Sequence, residues 1–192
     1  MLTLKSLKSA LVLGAAVLAL GTAAMPTAAL AEASVRVGGA PMFASKNIIE
    51  NAVNSRDHTT LVAAVKAAGL VATLQGPGPF MVFAPTNAAF AKLPAGTVEA
   101  LVRPENKDKL VKILTSHVVG AAVLSNAIKQ MVRDDNGTHV VETLSGAKLI
   151  VKVSGKRITL TDENGGTAHV TIADVKQSNG VIHVVDAVLL PK

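Results

Sequence analysis

The chain has 192 residues, 49% of them hydrophobic, with 19 Lys and Arg against 13 Asp and Glu, four Phe, and no Cys, Trp or Tyr. Without cysteine there can be no disulfide, no thiolate metal site and no lipid attached through a cysteine. So few aromatic rings leave little for the stacking on which single-stranded nucleic-acid sites depend, and the positive charge is too dispersed to make the concentrated basic face that nucleic acid requires.

Residues 1–31 read as a secretory signal peptide. Lys5 and Lys8 form a basic start, residues 10–20 are an apolar run too short to span a bilayer, and Ala29-Leu30-Ala31 is an A-x-A cleavage site. Removal of this leader leaves 161 residues with a net charge of +4 and no membrane span, enough for one domain with its own core. The expected location is the periplasm or the extracellular space. Residues 32–45 are rich in Ala, Gly and Val without periodicity and are predicted to be a flexible tether, with the folded domain over 46–192.

Helical patterning begins near Asn47, with Ile48, Ile49, Ala52 and Val53 on one face. Asp57 is predicted to cap a second helix whose apolar stripe, Leu61, Val62, Val65 and Ala68, closes at Gly69. A short turn over 70–74 follows, and Gly76-Pro77-Gly78-Pro79 stops it. Residues 80–84 form an apolar run predicted to be a buried strand, after which Thr86 caps a brief helix containing Phe90. Residues 94–102 read as helix, and Pro104 opens another, helped by Glu105 and Asp108 near its positive end. A strand at 117–119 and a short helix within 123–131 come next. Asn136-Gly137-Thr138 matches a glycosylation sequon but is read as a hairpin turn. Strands are predicted at 148–153, 157–161 and 169–172, with turns at Ser154-Gly155 and Asn164-Gly165-Gly166. Residues 181–190 are apolar on both faces except at His183 and Asp186, as a central strand covered on both sides would be. Helices first and strands second make an α+β domain.

Two segments carry a family resemblance. Residues 78–90, GPFMVFAPTNAAF, resemble the first conserved box of the fasciclin family, and residues 178–186, SNGVIHVVD, resemble the second, about 90 residues further on. Between them, residues 114–119, LTSHVV, stand where that family has a Tyr-His motif, with Ser116 in place of the tyrosine. The resemblance covers 47–192. It implies a fasciclin-like, wedge-shaped β-sandwich with helices packed along one side, acting in adhesion or partner binding outside the cytoplasm. It also maps partner contact onto Ser116, His117 and Val118, and onto Asp174 and Val175. With the tyrosine gone, a large amphipathic contact group is missing, and the partner is left as an unidentified protein or matrix component. Some proteins similar to the family bind carotenoids, so a carrier of an apolar small molecule is the alternative.

The box residues also have readings of their own. Thr86 and Asn87 form a strand-to-helix corner where a hydroxyl can cap and an amide can tie down backbone, and Asn179-Gly180 is a turn launching the last strand. His183 and Asp186, in an apolar run, each call for a buried hydrogen-bond partner. No catalytic or metal site and no cofactor is expected. The five histidines, 58, 117, 139, 169 and 183, show no metal-ligand spacing. A hydrolase built from Ser116, His117 and Asp186 fails because adjacent strand residues point to opposite faces.

Overall fold

The computed structural model describes residues 34–192, so the predicted leader and its cleavage site lie outside the described residues. The first described segment corrects an expectation. Instead of belonging to a flexible tether, β1 (Ser34–Val37) and β2 (Ala40–Phe43) form an antiparallel hairpin. A two-residue Gly38-Gly39 turn brings Val37 and Met42 to one face, and both are buried in the main core. Two anchors five positions apart leave no periodic signal, which is why the segment reads as unstructured.

Helix α1 (Ile48–Ala52) starts in a capping box: Asn47 accepts from the Glu50 amide at 2.9 Å and Glu50 accepts from the Asn47 amide at 2.8 Å. Asp57 does not cap the next helix. It sits inside a 3-10 turn, Arg56–His58, that runs directly into α2 (Thr59–Ala68), leaving no extended residue at which a side chain could cap. After α3 (Val71–Gln75) come β3 (Phe80–Pro85), α4 (Asn87–Ala91), α5 (Thr97–Leu101), a 3-10 turn at Pro104–Asn106, α6 (Lys107–Thr115), β4 (Val118–Val119) and α7 (Ser125–Asp134). Five strands complete the chain: β5 (Thr138–Glu142), β6 (Lys148–Ser154), β7 (Arg157–Thr161), β8 (Thr167–Gln177) and β9 (Gly180–Val185).

Strands β3 to β9 form one mixed sheet in the order β4-β3-β9-β8-β7-β6-β5, antiparallel throughout except for the parallel pair β3–β9. The Leu144 amide, just beyond β5, donates to the Val118 carbonyl at 2.7 Å, so the two ends of the sheet meet and it curls into a near-barrel. Strand alternation then divides the apolar residues between two cores. Val82 and Ala84 face the helices with Ile182 and Val184, while Met81 and Phe83 face the barrel interior with Leu149, Val151 and Leu160. The domain is α+β, as its order of elements predicted.

Several boundaries differ from expectation. Asn136 and Gly137 do not turn a hairpin. They join α7 to β5 with positive φ at both residues, and the Gly137 amide closes the helix end on the Val132 carbonyl at 2.7 Å. Strand β5 itself was not foreseen, because its outward residues include Val140 and blur the alternation. Strand β8 is longer than predicted and stays paired with β9 through two register shifts, while β9 ends at Val185 rather than near 190.

Candidate functional site

The two boxes act as clasps. Thr86 Oγ1 accepts from the Ala89 amide at 3.2 Å and caps α4, where Phe90 is buried. Asn87 Oδ1 accepts from the Thr60 amide at 3.0 Å and Thr59 Oγ1 at 3.2 Å, and its Nδ2 donates to the Arg56 carbonyl at 2.8 Å, so it holds the start of α2. Asn179 Oδ1 accepts from the Ile48 amide at 3.1 Å, and Nδ2 donates to the carbonyls of Leu74 and Gly76 at 2.8 and 3.0 Å. One side chain therefore ties the start of α1 to the end of α3. Around it the backbones approach so closely that a Cβ on Gly78 would lie 2.0 Å from the Asn179 carbonyl oxygen, and one on Gly180 would lie 2.1 Å from that of Phe80.

The residues mapped to partner contact are not a surface. Ser116, His117, Val118 and Val175 are all buried, with Val175 fully so. Ser116 Oγ donates to the Ile113 carbonyl at 2.7 Å. His117 lies in the turn between α6 and β4, with Nδ1 2.8 Å from the Ile113 carbonyl and Nε2 accepting from the Leu189 amide at 2.9 Å. These bonds define its tautomer: Nδ1 carries the proton. Burial lowers its pKa to about 4 against smaller raising effects of the Ile113 carbonyl and the Asp162 charge. The expected free edge at β4 is absent too, since Leu144 occupies the Val118 carbonyl. The physical reason is the curl of the sheet: it folds the apolar pair Val118-Val119 into the two cores. Ser116 and His117 both bond to the Ile113 carbonyl rather than to each other, and form no nucleophile–base pair.

Asp174 is half-buried and has φ +62°. It reaches the start of α7, accepting from the Ser125 amide at 2.6 Å and from Ser125 Oγ at 2.5 Å, while its own amide donates to His183 Nδ1 at 3.3 Å. His183 is fully buried, its Nε2 is 3.0 Å from the Val123 carbonyl, and its ring stacks on Phe83 with centroids 5.9 Å apart. Burial lowers its pKa, opposed by the Val123 carbonyl and the Asp174 charge. Asp186 is only half-buried. It lies beyond the end of β9, where Oδ1 accepts from the His169 amide at 2.7 Å and Oδ2 stands 3.9 Å from Lys92 Nζ.

Two other features are open to a ligand or a partner. The first is a cavity of about 50 Å³ between α1, α2, α3 and β3, lined by Ile49, Leu61, Val65, Leu74, Val82 and His58 among others, with a wholly apolar surface. His58 is buried, with Nδ1 2.8 Å from Ser55 Oγ, and its Nε2 is the one buried side-chain nitrogen or oxygen without a hydrogen-bond partner among the described residues. Burial lowers its pKa. The Ala84 backbone and the Asp57 charge act the other way. Nothing in the sequence singles out His58, because its meaning depends on a partner it lacks in space.

The second is the outer face of β5–β8. Register places Val140, Ile150, Thr161 and Thr167 in one row across the strands, and Thr138, Lys152, Thr159 and His169 in the next. Lys148 and Arg157 lie on the same face, Lys156 is in the adjoining turn, and Glu142 is the one acid among these residues. Val140 is 52% exposed and Ile150 38%. None of Lys148, Lys152, Lys156 and Arg157 takes part in an ion pair among the described residues. In these residues no group of three or more His, Asp or Glu is placed to hold a metal ion, and no helix is long and apolar enough to cross a membrane.

A mixed, curled sheet with helices along one side, clasped by Asn87 and Asn179, makes an α+β domain. The chain belongs to the fasciclin domain family, whose model matches residues 56–191. It is 47% identical to Protein sll1483 of a Synechocystis strain over 172 residues, 87% of this chain and 88% of that one. It is 37% identical to Immunogenic protein MPB70 of Mycobacterium bovis over 146 residues, 73% of this chain and 66% of that one. Among solved structures it resembles a FAS1 domain pair from the insect cell adhesion molecule Fasciclin I, with a TM-score of 0.65 at 18% identity, covering 83% of this chain and 58% of that one.

Proposed function

We propose that the domain works outside the cytoplasm as an interaction module, and that its contact surface is the outer face of β5–β8, taking an anionic matrix polymer rather than contacting partners through the Ser116–Val118 corner. One observation carries this reading: an exposed apolar pair, Val140 and Ile150, lies amid Lys148, Lys152, Lys156 and Arg157, none of them neutralised by an ion pair among the described residues. Rows of threonine hydroxyls beside the cations suit a hydroxyl- and carboxylate-rich polysaccharide, in which each carboxylate can be met by a lysine and each sugar hydroxyl by a threonine. The family membership supports an adhesive role, and the leader-like residues 1–31 support export.

The test is retention of the full chain on immobilised alginate, a polyuronate, against neutral dextran. Retention on alginate that weakens with salt, and that the double variant Lys148→Glu with Lys152→Glu loses while keeping its melting temperature, is the expected result. Equal retention of the folded double variant would move the contact surface elsewhere.

A further inference from the structure

Charge on the outer face of β5–β8 is unevenly distributed, and strand β6 measures the gradient. It exposes Lys148, Ile150, Lys152 and Ser154 in alternation, with Leu149 and Val151 turned into the barrel core. At its first end Lys148 lies opposite Glu142, and the Lys148 amide donates to Glu163 Oε1 at 3.2 Å. Two carboxylates therefore offset one cation there. At its other end, register sets Thr159 opposite Lys152 and Arg157 opposite Ser154, with Lys156 in the turn. The acid flanking that end is Asp135, whose carbonyl accepts from the amide of Thr138, the residue paired with Lys152. Its carboxylate is already engaged by His139 Nδ1 at 2.5 Å. Lys152, Lys156 and Arg157 take part in no side-chain hydrogen bond or ion pair among the described residues.

Spacing decides which cations can act together. With a rise of about 3.3 Å per residue and about 4.8 Å between strands, Arg157 lies about 8 Å from Lys152, and Lys148 about 13 Å from it in the other direction. The Debye length in physiological salt is about 8 Å, so an anion seated between Lys152 and Arg157 feels those two strongly and Lys148 weakly. The turn itself is open, since a Cβ on Gly155 would meet nothing within 4 Å. Resting on the reading that this face takes an anionic polysaccharide, we propose that its carboxylate-binding centre is the Lys152–Lys156–Arg157 corner, with Arg157 selecting the carboxylate. A guanidinium presents a planar fork that meets both carboxylate oxygens at once, which an ammonium does not. The Ser154 and Thr159 hydroxyls stand beside it for the sugar hydroxyls, and exposed Ile150 offers an apolar surface to the C–H side of a ring.

The experiment titrates the full chain with trimannuronate in physiological salt, reading amide shifts and affinity by NMR, beside retention on immobilised alginate. Shifts are expected to centre on Lys152 and 154–157. Arg157→Gln is expected to weaken binding at least about tenfold, as the loss of a charge-assisted hydrogen bond implies. Arg157→Lys should recover only part of that loss, and Lys148→Gln should change affinity by no more than about twofold. Melting temperatures establish that each variant is folded, and the shifts on the unaltered chain decide without any variant. The proposal is overturned if trimannuronate does not bind, if the shifts centre on Lys148, or if a folded Arg157→Gln or Arg157→Lys keeps full affinity. It is overturned equally if Lys148→Gln loses as much as Arg157→Gln. Retention on alginate together with any of these results moves the binding centre along the face. Loss of retention by the unaltered chain removes the face as a polysaccharide site, and this proposal with it.

Discussion

His117 and His58 occupy regions that resemble each other closely in chemistry and differ in one respect. Both rings are buried at the border of the same helix-side core, and both have pKa values lowered by burial. At the corner between α6 and β4, each nitrogen of His117 has a backbone partner. Beside α2, only one nitrogen of His58 is engaged. A buried histidine with both nitrogens paired is a fastener between segments distant in sequence, here joining α6 to the last residues of the chain. One with a single nitrogen paired ties the fold on one side of the ring only. Burial and a shifted pKa are common to both and do not separate them.

The largest effect that would sharpen this contrast is the loss of the fastener. His117→Ala leaves the Leu189 amide without an acceptor and opens a void in a packed region, together costing about 4 kcal/mol. Urea denaturation of the two proteins measures this, and a loss below about 1 kcal/mol would mean that the corner relaxes and that His117 is not holding the C-terminal segment.

Acid should act on the same ring. Its ordinary value is 6.5 and in the folded chain it is about 4. Above pH 6.5 the ring is neutral in both states and contributes no pH dependence. Between 6.5 and 4 the unfolded chain takes up a proton that the folded chain refuses, so stability falls as pH falls, by about 3 kcal/mol across the window. His58 and His183 shift in the same direction and steepen the loss. Denaturant midpoints at pH 7, 6, 5 and 4 check this. A profile flat across that range would show that the histidines reach water before unfolding.

A smaller effect is expected at Asp174, mapped by resemblance to partner contact but placed here as a brace on α7. Asp174→Ala removes two short bonds to Ser125 and puts a Cβ-bearing residue without a local hydrogen bond at φ +62°, costing about 2 kcal/mol. Asp174→Gly also loses the bonds but suits the backbone, so it should cost less. If the glycine variant is no more stable than the alanine variant, the backbone conformation is not part of the penalty.

What the sequence made legible follows from the range of the signals. The helix-side pattern, the buried run at 80–84, the central last strand and the α+β class all depend on local periodicity, and β3 and β9 are each buried along nearly their whole length. The hairpin at 34–43 was missed because its two anchors, Val37 and Met42, make no repeat. The candidate site was harder. Ser116, His117 and Val118 look like an exposed strand edge until the curl of the sheet brings Leu144 onto Val118, a contact between residues that no local pattern relates. Likewise, nothing near His58 in sequence distinguishes an unpartnered nitrogen from a paired one.

The smallest stability effect is expected on the outer sheet face, and its smallness is what makes it informative. Lys148, Lys152 and Arg157 are exposed and in no ion pair, so Lys148→Glu with Lys152→Glu breaks no ion pair among the described residues; the carboxylate it sets opposite Glu142 is exposed to solvent, and folding stability should change by no more than about 1 kcal/mol. Val140→Thr, at the centre of the exposed row, should likewise be nearly neutral, because threonine keeps the β-branched shape suited to a strand and gives up little burial. A fastener such as His117 spends its interactions within the fold, whereas this face has made almost none of those open to it. If melting temperatures drop by several degrees in these variants, the face is contributing to the fold and the contrast with the corner fails. If they hold while alginate retention is lost, the interactions this face leaves unused in the isolated chain are the ones it makes with its partner.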